Sequence, residues 1–379
     1  MRSGVLPLLI FFAIVQKQAP AQNPRPITDA MVREVHKSAI LIDTHNDVTS
    51  RTVDGFDIGK AGSDSHTDIK RLREGGVGAV FFAAYVSSDY AKSKTSAHRA
   101  LQMIDTVRTD IVARYPNVFT FATNAAEIEA AHRQGKIAAL IGIEGGHAIE
   151  DDPRLLRDFY ALGVRYMTLT HTNTNSWADS SGDGADRSVK HHNGLTPLGR
   201  QIVEEMNRLG MMVDISHVAD KTFYDVIDAS KAPVIASHSS CRALSNVPRN
   251  MTDAMITALA KKGGVVHINF NCEFLSQKTA DAQRARPLKE REKNILPATL
   301  ADVVAHIDHV VKLVGVNAVG IGSDFDGVHC TPAGLDDVSK FPNLTRALLE
   351  RGYSPDDIRK MYGGNTLRVM RAVERASAN

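Results

Sequence analysis

Eight apolar runs, most of them closing on polar residues, punctuate the chain: AILIDTH (39–45), VGAVFFAAYV (77–86), IAALIGIEGGH (137–147), VRYMTLTH (164–171), MMVDISH (211–217), APVIASHSS (232–240), GGVVHINF (263–270) and VNAVGIGSDFDG (316–327). The apolar positions are continuous rather than strictly alternating, the pattern of parallel strands covered on both faces. Between most of them lie stretches with helical spacing, among them AAEIEAAHRQ, DPRLLRDFYALG, LTPLGRQIVEEMNRLG, DAMITALAKK and LADVVAHIDHVVKLVG. Several end in glycine, which suits a helix C-cap. Strand and helix repeated eight times predict a (β/α)8 barrel of the TIM type. A doubly wound open sheet uses the same local units. The position of the reactive residues favours the barrel: they fall at the C-terminal ends of six different runs, which a barrel gathers around one axis.

A short helix is expected over residues 29–36 and another over 67–74, and residues 354–376 read as two terminal helices. Two polar interruptions, 172–194 after the fourth run and 271–296 after the seventh, belong on the same rim as the polar strand ends. No repeat or low-complexity tract divides the chain, so residues 22–379 are expected to form a single domain.

The first residues, MRSGVLPLLIFFAIVQKQAPA, combine a basic start, an apolar run too short for an ordinary span, and a small-residue segment ending at Ala21. That is the pattern of a cleaved export signal over residues 1–21, with a signal anchor as the alternative. The full chain carries 45 basic and 43 acidic residues. Losing Arg2 and Lys17 with the signal leaves 43 of each. Such a balance, with no basic block, gives no footprint for nucleic acid, and the substrate is expected to be small or neutral overall. The three cysteines, Cys241, Cys272 and Cys330, allow at most one internal bridge; Cys241 with Cys272 is a weak candidate.

The polar strand ends make one set: His45, Asp47, Glu144, His171, His217, His238 and Asp324. Imidazole nitrogens and carboxylate oxygens are the ligands zinc accepts. In a strand, residues i and i+2 point the same way, so His45 and Asp47 can close on one ion while Asn46 faces elsewhere. Taken alone this pair is equally consistent with turn chemistry; two SH pairs ending the fifth and sixth runs strengthen the metal reading. Glu144 ends an apolar run before Gly145 and Gly146, which suits a carboxylate shared between two metals, although an acid there can also cap a helix.

With IDTHND, HTDIKRLREGGVGAVFF, GIEGGHAI, GVRYMTLTHTNTNSWADS, GLTPLGRQIVEEMNRLG, DISHV, PVIASHSS, NVPRN and GIGSDFDG in that order, the chain resembles the membrane dipeptidase (renal dipeptidase) family of binuclear zinc peptidases, in the amidohydrolase superfamily, from about residue 34 onward. The resemblance implies a zinc dipeptidase with two zinc ions per chain. His45 and Asp47 resemble the ligands of one zinc, His217 and His238 those of the other, and Glu144 the bridging carboxylate. His171 resembles the residue that holds the scissile carbonyl oxygen, Arg249 the one that receives the dipeptide's terminal carboxylate, and Asp324 the proton-transfer acid and base. A homodimer is implied by the resemblance alone.

Elementary chemistry agrees with these roles. Two zinc ions lower the pKa of a water held between them and orient the resulting hydroxide toward the peptide carbon. Oxygen charge developing on attack needs a fixed donor such as His171. The departing amine needs a proton that Asp324 can take up and return. A guanidinium fork at Arg249 matches a carboxylate, so the substrate has a free C-terminus. Spacing alone does not choose between Asp324 and Asp326; the resemblance chooses Asp324. His147, His191, His192 and His329 are expected near the mouth in supporting or solvated positions, His306 and His309 within a helix, and Trp177 as a loop anchor or pocket wall.

The family's mammalian members carry a Pro-Trp pair where this chain has Thr49 and Ser50, paired cysteines at positions that include Asn173, Ser245 and Gln277, and a pocket tyrosine where Phe274 stands. These departures bear on side-chain preference. The ending RAVERASAN lacks an apolar tail for a lipid anchor. The expectation is therefore an exported, unanchored, periplasmic or secreted enzyme acting on L,L and L,D dipeptides. The alternatives are a barrel amidohydrolase of N-acyl amino acids or cyclic amides, and a catalytically silent metal-binding protein; the presence of Asp324 argues against the latter.

Overall fold

The computed structural model describes Met1 and residues 26–60, 62, 64–287, 290 and 295–378. The expected export segment, except Met1, lies outside the described residues. Among the described residues, nine strands make one parallel sheet: β1 Leu41–Asn46, β2 Val77–Tyr85, β3 Phe119–Phe121, β4 Ile137–Glu144, β5 Val164–Thr168, β6 Met212–Asp214, β7 Ile235–Ser239, β8 Val265–Ile268 and β9 Val319–Ile321. Eight of them close into a barrel in the order β1-β2-β4-β5-β6-β7-β8-β9, with β9 returning to β1. This is the (β/α)8 architecture that the eight runs predict. The ninth, β3, pairs the first residues of β4, from Phe119↔Ile137 to Phe121↔Ala139, below the point where β5 joins the same edge at Ile141. Its FTF sequence is too short to register as a strand by periodicity.

Local chemistry sets the intervening helices. Thr196 accepts a hydrogen bond from the Gly199 N–H, Pro197 opens the helix Pro197–Leu209, and Gly210 closes it at φ 81°. Asn124 and Thr252 cap the helices before β4 and β8 in the same way. Alternate strand residues serve two apolar layers. Ala79, Phe81, Ala138 and Leu140 join Ile42, Tyr166 and the C-terminal helix residues Leu367 and Met370, whereas Val80, Phe82, Ala139 and Ile141 pack under the outer helices. Burial on both faces is what continuous apolar runs require.

The terminal segment forms the helices Pro355–Arg359 and Asn365–Ser377, joined through a π-helical turn at Lys360–Gly364. Gly363 sits there because a Cβ would come within 2.2 Å of the Ile40 carbonyl oxygen. The 271–296 interruption contains the helices Cys272–Leu275 and Gln277–Arg284. The disulfide joins Cys272 to Cys330, not to Cys241. Cys241 is free and buried, with its backbone N–H held by His306 Nδ1, whereas Cys272 faces the segment after β9 and donates its N–H to Cys330 O at 3.3 Å. Sequence proximity to Cys241 carried no information about that tertiary neighbour. Among the described residues, no helix is long and apolar enough to cross a membrane.

Candidate active site

The C-terminal rim of the barrel assembles the expected set. His45 stands near the end of β1 with Asp47 just beyond it, Glu144 is the last residue of β4, and His238 lies in β7. His171, His217 and Asp324 follow β5, β6 and β9 within three residues. His217 and Asp324 have positive φ, 70° and 64°, a costly conformation for such residues and one that concentrates at functional sites.

Glu144 is the centre of the cluster. Its Oε1 lies 2.9 Å from His217 Nε2 and 3.2 Å from His238 Nε2, while its Oε2 lies 3.5 Å from His45 Nε2. His45 Nε2 is also 3.2 Å from Asp47 Oδ2. The two carboxylate oxygens thus face different imidazoles. His45 and His238 stack with ring centroids 3.7 Å apart. His171 Nε2 stands 3.9 Å from Glu144 Oε1, at the cluster's edge. Three groups of ligand-type atoms converge here: His45, Glu144 and His238; Glu144, His171 and His217; and His45, Asp47 and Asp324. A Cβ on Gly327 would lie 2.4 Å from Asp47 Oδ2 and 2.5 Å from Asp324 Oδ1, so only glycine leaves room for both carboxylates.

Asp324 and Asp326 separate clearly. Asp326 accepts the His66 N–H at 2.8 Å and its own N–H donates to His66 Nδ1, which ties it to a neighbouring loop. Asp324 faces the cluster and accepts from Asn269 Nδ2 at 2.8 Å. Asn269, just past β8, was not singled out by the sequence reading; its signal is a lone amide between Ile268 and Phe270 in an apolar run.

Electrostatics follow from enclosure. Burial pushes the Asp324 carboxyl up to about 8, opposed by His45 and reinforced by Asp47 and Glu144. Burial also opposes ionisation of Glu144, but His45, His171 and hydrogen bonds from His217 and His238 outweigh it and hold the carboxyl well below its ordinary value. Burial, then the nearby positive charge of Arg249, keeps His217 well below its usual value. For His45, burial is outweighed by Tyr166, Glu144 and Asp47, which raise it.

A cavity of about 850 Å³ opens beside the cluster, lined by His217, Arg249, Phe274, Val247 and Ser181 among others. Arg249 donates to Ser239 Oγ and His238 O, while its buried Nε has no partner. Its guanidinium carbon lies 5.4 Å from the Phe274 ring centroid. Burial lowers Arg249 to about 10.

The remaining sequence candidates fall outside this constellation. His147 is buried and bonds Val86 O, His192 bonds Asn175 O, and His191 lies 3.6 Å from Asp183. Trp177 is fully buried, with Gly146 leaving space for its ring, and is a loop anchor. Thr49 is buried and its hydroxyl donates to Ala83 O in β2. Ser245 and Gln277 accept their places through hydrogen bonds, to Glu273 O and from Asn246 N.

A parallel barrel with imidazoles and carboxylates converging on its C-terminal rim defines a metallohydrolase of the barrel type. The family model for membrane dipeptidase (peptidase family M19) matches residues 29–379. Dipeptidase verJ of Clonostachys rogersoniana is 41% identical over 353 residues, covering 89% of this chain and 85% of that protein. The probable dipeptidase PvdM of Pseudomonas aeruginosa has a TM-score of 0.82 and 26% identity, covering 92% of this chain and 98% of the other. A metallopeptidase of Rhodobacter sphaeroides, solved with a phosphinate mimic of the dipeptide L-Ala-D-Ala, has a TM-score of 0.75 and 27% identity, covering 88% and 99%. The chain belongs to the membrane dipeptidase family, M19; it is a dipeptidase of this metallopeptidase family, and hence a hydrolase.

Proposed function

We propose that the chain is a binuclear zinc dipeptidase cleaving L,L and L,D dipeptides that have a free C-terminal carboxylate. The observation that carries this reading is the split of Glu144, with Oε1 toward His217 and His238 and Oε2 toward His45. The donor set fits zinc in its chemistry, and His45 Nε2, buried without a hydrogen-bond partner, is an orphan that a cation satisfies. His45 and Asp47 would hold one ion, His217 and His238 the other, with Glu144 shared. Two zinc ions, when bound, supply Lewis acidity and make a water nucleophilic at neutral pH.

The side chains supply the rest. Arg249, on the wall of the cavity, receives the substrate carboxylate. His171 donates to the carbonyl oxygen as charge develops there. Asp324, held by Asn269, accepts a proton from the nucleophile and returns it to the leaving amine. The dipeptide mimic bound by the Rhodobacter sphaeroides relative supports a substrate of this size. Cleavage after Ala21 would leave residues 22–379 as an exported domain; N-terminal sequencing of the expressed chain tests the cleavage site.

Zinc-quantified enzyme assayed against L,L dipeptides, L,D dipeptides and N-acyl amino acids tests the activity. Turnover of dipeptides is the expected result. Turnover confined to N-acyl amino acids would reject the substrate assignment.

A further inference from the structure

Two hydrogen-bond chains reach the cluster from behind, one to each of the stacked histidines. Tyr166, fully buried in β5, places its hydroxyl 2.9 Å from His45 Nδ1 and donates to Thr44 O at 3.0 Å. A hydroxyl has one proton. With that proton on a carbonyl, which can only accept, the contact to His45 requires the proton to sit on Nδ1. On the other side, Ser237 Oγ lies 2.7 Å from His238 Nδ1 and donates to Asp214 Oδ2 at 2.6 Å. The same count puts the proton of His238 on Nδ1.

Both supports are built into the fold. Asp214, last residue of β6 and fully buried, accepts from Thr168 Oγ1 and Ser237 Oγ on one oxygen, and from the Ser216 and Ser237 N–H groups on the other. Gly142 makes room for Tyr166: a Cβ there would lie 2.0 Å from the ring's Cζ. The aromatic ring therefore passes through a slot that only glycine leaves open.

We propose that Tyr166 and the Ser237–Asp214 pair are positioning residues that lock His45 and His238 in the Nδ1-protonated tautomer, so that both Nε2 lone pairs point to the metal side. The inference rests on the two-zinc reading above. Each chain supports a histidine of a different ion, so removing one chain weakens one ion selectively. Outer hydrogen-bond partners of this kind typically change metal affinity by about 10–100-fold. The two chains differ at their ends, a neutral carbonyl behind His45 and a carboxylate behind His238.

The test is zinc competition against a chromophoric chelator, on metal-depleted wild type, Tyr166→Phe, Ser237→Ala, Ser237→Thr and Asp214→Asn. Wild type is expected to bind two ions. Tyr166→Phe is expected to weaken one by about 10–100-fold and Ser237→Ala the other, with Ser237→Thr restoring the wild-type value. In the zinc-loaded wild type, ring ¹⁵N shifts should report Nδ1–H for His45 and His238. Because Tyr166→Phe and Asp214→Asn keep volume, a folding failure of Ser237→Ala leaves both chains tested. Two tight ions in every folded variant, or Nε2–H tautomers, would overturn the positioning role while leaving the zinc reading intact. Failure of wild type to bind two zinc ions would instead reject that reading itself.

Discussion

Asn269 Nδ2 donates to Asp324 Oδ2 at 2.8 Å, fixing the carboxylate that faces the ligand cluster. A proton-transfer group in this position should be separable from metal binding. Asp324→Asn is expected to lower kcat by roughly 10²–10⁴-fold, the usual contribution of general acid–base catalysis. Zinc content should stay near that of the wild type. Metal analysis alongside steady-state kinetics checks both, and undiminished turnover would remove Asp324 from the role.

Arg249 predicts a requirement at the far end of the substrate. Arg249 is half-buried, its Nε is unpartnered, and it lines the cavity with Phe274. Charge-assisted hydrogen bonds to a carboxylate contribute about 1.5–3 kcal/mol. Arg249→Met should therefore lower kcat/KM for free dipeptides by about 10²-fold, chiefly through KM, and C-terminal amides should be poor substrates of the wild type. Equal turnover of free and amidated dipeptides would contradict the assignment.

The disulfide ties the helix that carries Phe274 to the segment after β9. Cys272 and Cys330 are 58 residues apart, a span whose closure is worth up to about 4 kcal/mol in the chain-entropy picture. The Cys272→Ser/Cys330→Ser variant should melt at lower temperature and show a raised KM. Non-reducing thiol titration of the unfolded chain should find one free thiol, that of Cys241, among its three cysteines.

His306 predicts a loss of stability in acid. Its Nδ1 accepts from the Cys241 N–H at 3.0 Å and its Nε2 donates to Leu275 O at 3.0 Å, so the buried ring is neutral. Burial lowers its pKa from 6.5 to about 4. The unfolded chain therefore binds this proton more readily than the folded one. Stability is full above about pH 6.5 and falls as pH drops toward 4, by about 3 kcal/mol from this group. Urea unfolding at a series of pH values should show a shallower slope in this window for His306→Gln. An unchanged slope would show that the acid loss originates elsewhere.

Much of the site is visible in one dimension. The eight barrel strands are continuous apolar runs because both their faces are covered, and the imidazoles and carboxylates end those runs because the C-terminal rim is where barrel strands leave the core. Asn269 escaped notice because one amide in an apolar run looks like any other buried polar residue. Asp324 and Asp326 share a strand-like spacing and a positive φ, and only their tertiary contacts distinguish them: His66 holds Asp326, whereas Asn269 holds Asp324 toward the cluster. The Cys272–Cys330 bridge was misread because a pairing depends on which loops meet on the rim.

Local periodicity and residue chemistry were enough to read eight strand–helix units, their order along the chain and the metal-type residues at the strand ends, and the gathering of those residues at strand ends favoured a barrel over an open sheet. Barrel closure, and how those ends meet, emerge only in three dimensions: Glu144 between three imidazoles, Tyr166 behind His45, Ser237 and Asp214 behind His238. Those contacts join strands far apart in the chain. Their geometry is set by barrel closure and side-chain packing, which a linear pattern does not encode residue by residue.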